Sequence, residues 1–232
     1  MDKDYLELKQ WLEETKDEPL ETMAGFFDAR IDSYEEHMAR WKAHYQWMAD
    51  LLPTSLETLL DLGCGTGLEL DYILARFPHL VVVGIDLSER MLAQLRKKHG
   101  DKKLSLVCAD YFTYDLGQER FDAVVSFQSL HHYTAAKKEE LFRKVHHCLK
   151  PGGVYLECDY IATSQAIEEL AFFEAQRRRR RDGIKDEVFV HFDTPLTLEH
   201  ELACIRKAGF TVVELVGFLP KDQHTAMIRA MK

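Results

Sequence analysis

The stretch Leu59-Leu60-Asp61-Leu62-Gly63-Cys64-Gly65-Thr66-Gly67-Leu68-Glu69-Leu70 decides how this chain is read. An apolar run ends at Leu62, three alternate glycines make a turn, and a helical pattern starts near Leu68. Glycines at such a place let the backbone adopt positive φ and approach a ligand closely. The helix that follows offers unpaired N–H groups and a partial positive charge to an anion. A strand, a glycine bend and a helix in that order read as one half of a ligand crevice at the carboxyl edge of an open α/β sheet.

On either side the same alternation continues. Short apolar runs at Thr58–Leu62, Leu80–Ile85, Leu104–Cys108, Phe121–Ser126 and Val154–Cys158 predict strands. Between them, Leu68–Phe77, Ser88–His99 and Lys137–Leu149 carry apolar residues at three- and four-residue steps and predict helices. Strand, helix, strand, repeated, implies parallel pairing with helices on both faces. Two last strand-like runs, Phe210–Phe218 and Thr225–Met231, are separated by about six residues, too few for a crossover helix. They predict an antiparallel hairpin closing a doubly wound, seven-stranded, mostly parallel sheet. Ahead of the sheet, residues 1–53 read as a helical extension, with Pro19 starting a second helix and Ser33-Tyr34-Glu35-Glu36 as a capping box opening a third. A single domain is expected, divided into a helical lid (1–53), a core (54–160), a helical insertion on the substrate side (161–196) and a final helix with the hairpin (197–232).

Composition narrows the partners. Thirty basic and 39 acidic residues give a net charge of −9, the wrong balance for a protein that coats nucleic acid. The five scattered cysteines form no C-x-x-C pair and have no histidines at metal-ligand spacing, so neither a disulfide frame nor a metal site is expected. No apolar run reaches the ~18 residues of a membrane span, and the N-terminus lacks a signal-peptide pattern, which points to the cytoplasm. One local exception is the basic run Arg177–Arg181, read as the cationic end of an exposed helix with Glu174 spaced to pair with Arg178.

Two carboxylates sharpen the glycine turn. Asp86 ends the second strand, where it can accept both hydroxyls of a ribose, and Asp110 ends the third, where it can meet an exocyclic amine. The dinucleotide fingerprint G-x-G-x-x-G would need glycine at position 68, which is Leu68. The chain has G-x-G-x-G preceded by Asp61. Together with the terminal hairpin and the Leu149-Lys150-Pro151-Gly152-Gly153 turn, this resembles the class I S-adenosylmethionine-dependent methyltransferases over about residues 56–160. The resemblance implies a Rossmann-like methyltransferase fold and S-adenosyl-L-methionine as cofactor. It implies that Gly63, Cys64, Gly65 and Gly67 cradle the methionine portion, with its ammonium near Asp61. It places the ribose at Asp86, the adenine between Leu87, Met91 and Tyr111 with its amine at Asp110, and the transferred methyl near Phe127. Leu87 and Met91 also read as ordinary helix core.

The remaining chemistry is at the acceptor. Phe127-Gln128-Ser129-Leu130-His131-His132 follows the fourth strand. An alcohol, phenol or ammonium acceptor must lose a proton, so His131 and His132, the former first, are the candidate catalytic residues; a strand-end or interface role is the plain alternative. Asp159, Tyr160 and His191 occupy places suited to acceptor contact. The N/D-P-P-Y/F signature of amino-adenine methyltransferases and the Pro-Cys pair of cytosine enzymes are both absent. A small-molecule methyl acceptor is expected, with O, N or S as the methylated atom. A regulatory nucleoside-binding protein, an RNA methyltransferase and a nicotinamide-dependent oxidoreductase are the rivals. The sequence leaves the oligomeric state open.

Overall fold

A computed structural model describes residues 3–232. Helices α1 (Lys3–Glu14), α2 (Met23–Met38) and α3 (Lys42–Leu51), the last two joined by a 3₁₀ turn, precede strand β1 (Thr58–Leu62). Then follow α4 (Leu68–Arg76), β2 (Val81–Asp86), α5 (Glu89–His99), β3 (Lys103–Cys108), β4 (Phe121–Phe127), α6 (Ala135–Cys148) and β5 (Leu149–Tyr160). Helices α7 (Gln165–Arg181) and α8 (Leu198–Lys207) lead to the hairpin β6 (Val212–Gly217) and β7 (Thr225–Met231). The sheet order is β3-β2-β1-β4-β5-β7-β6, with β7 antiparallel to both neighbours. The expected doubly wound sheet with its terminal hairpin is therefore the fold.

Alternation along the strands assigns the two faces. Leu60, Leu62, Val124 and Tyr155 point to the side covered by α6 and α8, where Phe142, Val145 and Ile205 meet them. Leu59, Val82, Val125 and Leu156 point to the other side, packed by Met48, Ile73, Leu92 and Leu95. Each such side chain, fully buried, contributes about 1.5–3 kcal/mol relative to exposure. Asp61 shares the second face, which puts a carboxylate into the core directly before the glycine turn.

Local signals set the helix starts. The N–H groups of Gly25, Met91, Lys137 and His200 donate to the hydroxyls of Thr22, Ser88, Thr134 and Thr197, each a side-chain N-cap worth about 1 kcal/mol. The capping box expected at Ser33 does not form. Ser33 lies inside α2, where its hydroxyl donates to the Arg30 carbonyl. The helix begins at Thr22 instead because that segment is bridged to Val190, which fixes an extended entry.

The basic run is structural. Arg178 is buried, donates to Glu174, to the Leu12 carbonyl and to Thr15, and lies over the rings of Trp11 and Phe192. Arg181 donates to the carbonyls of Lys16 and Glu18, and Arg179 to those of Lys185 and Val188. The arginines clamp α1 and the following loop onto α7.

Candidate active site

The carboxyl ends of β1, β2 and β4 converge on one crevice. The register pairs Leu62 with Ile85 on one side and with Ser126 on the other, so three strand ends lie abreast. The Gly63 and Cys64 amides donate to the Ile85 carbonyl, and the Gly67 amide to the Cys64 carbonyl, which folds the glycine turn over the sheet edge. Gly67 has φ +73°, and a Cβ there would run into Leu95; Gly63 also has φ +73°, with a Cβ only 2.6 Å from Ser129. Glycine is required at both. At Gly65 (φ +48°) the added carbon would face the Tyr34 hydroxyl of α2 at 3.4 Å.

Asp86 ties the two halves of the crevice together. Its carboxylate accepts the Gly65 amide at 3.0 Å and the Ser88 amide at 2.8 Å, leaving lone pairs for a ligand hydroxyl. Leu87, Met91, Tyr111 and Phe127 line the same crevice with Gly63, Gly65 and Asp86. Cys64 does not: its thiol nests over Gly84 of β2, and burial pushes its pKa up. Asp110 also stands off the crevice wall, with one oxygen accepting the Phe112 amide at 2.8 Å. Asp61 is buried beside Glu69, and apart from that neighbouring carboxyl neither of its oxygens has a hydrogen-bond partner. Burial, with Glu69 adding repulsion, raises the Asp61 pKa well above the usual carboxylate range; burial lifts Glu69 to about 7.

Helix α2 lies across this crevice. The Ser88 hydroxyl donates to Asp28 at 2.5 Å, Arg90 donates to the Asp28 carbonyl, and Lys98 pairs with Glu35 at 2.8 Å. With α2 down, the cavity between Tyr34, Gly65 and Asp86 measures only about 60 Å³. On the far side of Phe27, Tyr34, Gln128 and His132, which line both spaces, opens a second cavity of about 720 Å³. Arg30, Trp41, His131, Tyr160, His191 and Asp193 are among its walls.

His131 and His132 sit at that seam but in different states. His131 Nδ1 lies 2.5 Å from Asp159 and its Nε2 3.5 Å from Asp193. Burial alone would lower its pKa; the buried carboxylate of Asp159, helped by Asp193 at the cavity wall, overrides this and lifts it to about 10. His131 therefore holds a proton near neutral pH. His132 is lowered instead, by burial and by the charge of His131, and burial takes His191 down to about 3. Only His132 of the pair faces both cavities. Sequence reasoning named Gln128 within the strand-end segment without giving it a role of its own, though its φ of +48° is uncommon for a residue with a side chain, and it missed Asp193, which comes from a distant strap.

Residues 59–153 match the family described as "Methyltransferase domain". Over these residues the chain is similar to the class I S-adenosylmethionine-dependent methyltransferases. This methyltransferase is 22% identical to the carboxy-S-adenosyl-L-methionine synthase of Nautilia profundicola over 84% of its own length and 87% of that relative. It is 31% identical to 24-methylenesterol C-methyltransferase 2 of Oryza sativa over 55% of its length, but spans only 36% of that protein. The solved S-adenosylmethionine-dependent methyltransferase of Mesorhizobium loti has the same fold, with a TM-score of 0.58, 24% identity, and coverage of 81% of this chain and 98% of that one. The cofactor of this methyltransferase is S-adenosylmethionine, and its residues suit that molecule. A glycine cradle free of side chains, spare lone pairs on Asp86 and the buried carboxylate of Asp61 match a nucleoside carrying an ammonium group. No helix among the described residues is long and apolar enough to cross a membrane.

Proposed function

We propose that this methyltransferase methylates an oxygen, nitrogen or sulfur atom of a small molecule held in the 720 Å³ cavity. The observation that carries this reading is the shared wall: Gln128 and His132, together with Phe27 and Tyr34 of α2, line both that cavity and the cofactor crevice. Its volume falls in the range of about 300–1,000 Å³ typical of small-ligand sites. S-adenosylmethionine, when bound, supplies a methyl already activated for transfer. What remains for the chain is to align an acceptor within about 3–3.5 Å of that carbon and to exclude water. Phe27 and Tyr34 close the crevice from α2, while Gln128 is braced by the Cys158 carbonyl, which accepts its amide, and by Thr225. His132, neutral and facing both spaces, is the proposed acceptor contact, and it receives the proton that the acceptor sheds. His131, already protonated, positions Asp193 beside it. Asp61, Gly63, Gly65, Asp86, Leu87, Met91 and Tyr111 are the proposed cofactor contacts. The clamps made by Arg178, Arg179 and Arg181 speak against an RNA-binding surface on α7.

The test is transfer of isotopic methyl from S-adenosylmethionine into a metabolite extract, followed by separation of small molecules, RNA and protein. Label in the small-molecule fraction, lost in His132→Ala, is expected. Label confined to RNA or protein would overturn the reading. So would mass spectrometry showing that the cofactor alone is altered, the outcome that the name of the Nautilia relative makes worth watching.

A further inference from the structure

We propose that His131, His132 and Asp193 form a mononuclear site for a divalent transition metal in the wall of the 720 Å³ cavity. Three donor atoms converge there: Nε2 of His131, Nδ1 of His132 and one carboxylate oxygen of Asp193, all within 4.8 Å of one another. The carboxylate oxygen lies 3.5 Å from the first nitrogen and 3.2 Å from the second. Tetrahedral zinc, with bonds of about 2.0–2.2 Å, spaces its ligands about 3.3–3.5 Å apart. The two carboxylate–imidazole separations are close to that spacing, and the two imidazole nitrogens lie within 4.8 Å of each other.

A second observation is independent of that spacing. His132 Nδ1 is buried and makes no well-formed hydrogen bond, its contact with the Asp193 oxygen at 3.2 Å being an ion-pair contact only. An unsatisfied polar atom in such a place carries a free-energy cost that a metal bond removes. The surroundings of His131 fit as well. Its Nδ1 is held by Asp159, whose carboxylate also accepts the Leu130 and Tyr160 amides at 2.8 Å each. A histidine fixed through one nitrogen by a carboxylate, with the other nitrogen aimed at a common point, is the usual outer support of a metal ligand, and the ion would displace the proton that His131 otherwise holds on Nε2. Asp193 is equally well placed, since the Thr194 amide donates to the His131 carbonyl at 2.8 Å and pins the strap to the strand end.

The donor set is two imidazoles and a carboxylate without thiolate, which suits zinc, cobalt or iron in the divalent state rather than copper(I) or calcium. The two carboxylates, Asp159 and Asp193, balance a charge of two. Three protein ligands leave a position open toward the cavity, as in catalytic rather than closed structural sites. This deepens the function proposed above and rests on the cavity being the acceptor site. There the ion, occupying His132 Nδ1, would polarise the acceptor's nucleophilic atom and lower its pKa, so that the proton leaves to solvent water in place of His132.

Metal-free full-length protein titrated with zinc and with cobalt, by calorimetry and by visible absorption, tests the site. One equivalent is expected to bind, with cobalt bands of a tetrahedral or five-coordinate ion. Asp193→Asn and Asp159→Asn should each weaken binding by about tenfold or more, and His132→Ala should abolish it. S-adenosylhomocysteine binding by each variant reports that it is folded. Absence of saturable binding, or binding indifferent to His132→Ala and Asp193→Asn in folded protein, overturns the site. Methyl transfer that survives a chelator yet is lost in His132→Ala would refute the metal and leave the acceptor reading standing. Stoichiometric metal with label found only in RNA would do the reverse.

Discussion

One oxygen of Asp159 lies 2.5 Å from Nδ1 of His131 while the other accepts the Leu130 amide, so a single buried carboxylate sets both the ring and the backbone that carries it. Asp159 is the penultimate residue of β5 and His131 follows β4, and the pairing of Phe127 with Cys158 brings the two strand ends together. Asp159→Asn keeps an acceptor for Leu130 but removes the charge. The pKa of His131, read by NMR of the ring, is expected to fall from about 10. Stability should drop by about 3–5 kcal/mol, the usual result of breaking one side of a buried pair.

Gly67 and Gly65 should respond differently to alanine. Gly67→Ala combines a left-handed backbone with a collision against Leu95, and thermal denaturation should show a loss well beyond the roughly 1–2 kcal/mol of the conformation alone. Gly65→Ala pays for the conformation but faces only the Tyr34 hydroxyl, so calorimetry should show mainly weakened S-adenosylhomocysteine binding.

Glu69 gives a pH signature. Burial raises its folded pKa to about 7, above the unfolded value near 4.5. A group shifted in that direction contributes stability fully present below the unfolded pKa and lost as pH climbs through the folded one. Stability of the cofactor-free protein should therefore decline between about pH 4.5 and 7 through this group. Denaturant titrations of Glu69→Gln across that window should show a shallower decline than wild type.

Cofactor binding should release a proton. Burial next to Glu69 raises the pKa of Asp61, and an ammonium group beside it favours the ionised form. Calorimetry of S-adenosylmethionine in two buffers of different ionisation enthalpy should differ, and Asp61→Asn should abolish most of the difference. Equal heats for wild type in both buffers would count against an ammonium at Asp61.

Helix α2 closes over Gly65 and Asp86, so its withdrawal is the expected step by which the cofactor enters. Removing the Ser88–Asp28 bond with Asp28→Ala should speed association of S-adenosylhomocysteine several-fold in stopped flow while leaving the sheet's melting temperature nearly unchanged.

Much of this architecture was legible in the residues themselves. Strands β1 and β7 begin and end where their apolar runs do, and Ser88 and Thr197 cap the helices they precede. Strand periodicity, glycine turns and side-chain caps are local devices, written within a few residues of where they act. Ser33 misled because a capping box is only a tendency, and the bridge from Thr22 to Val190 overrode it.

The doubly wound sheet with its terminal hairpin and the glycine turn belong to what the sequence by itself determined, since each follows from short-range pattern, and the cofactor followed from the resemblance those motifs carry; the spatial order of the strands did not. Tertiary structure alone decided that His131 keeps its proton, that His132 faces both cavities, and that Asp193 comes to stand beside them. It also turned the arginine run from a surface feature into a clamp on α1. The physical reason is the same in each case: charge state and ligand geometry depend on burial and on partners tens of residues away, which no local spacing records.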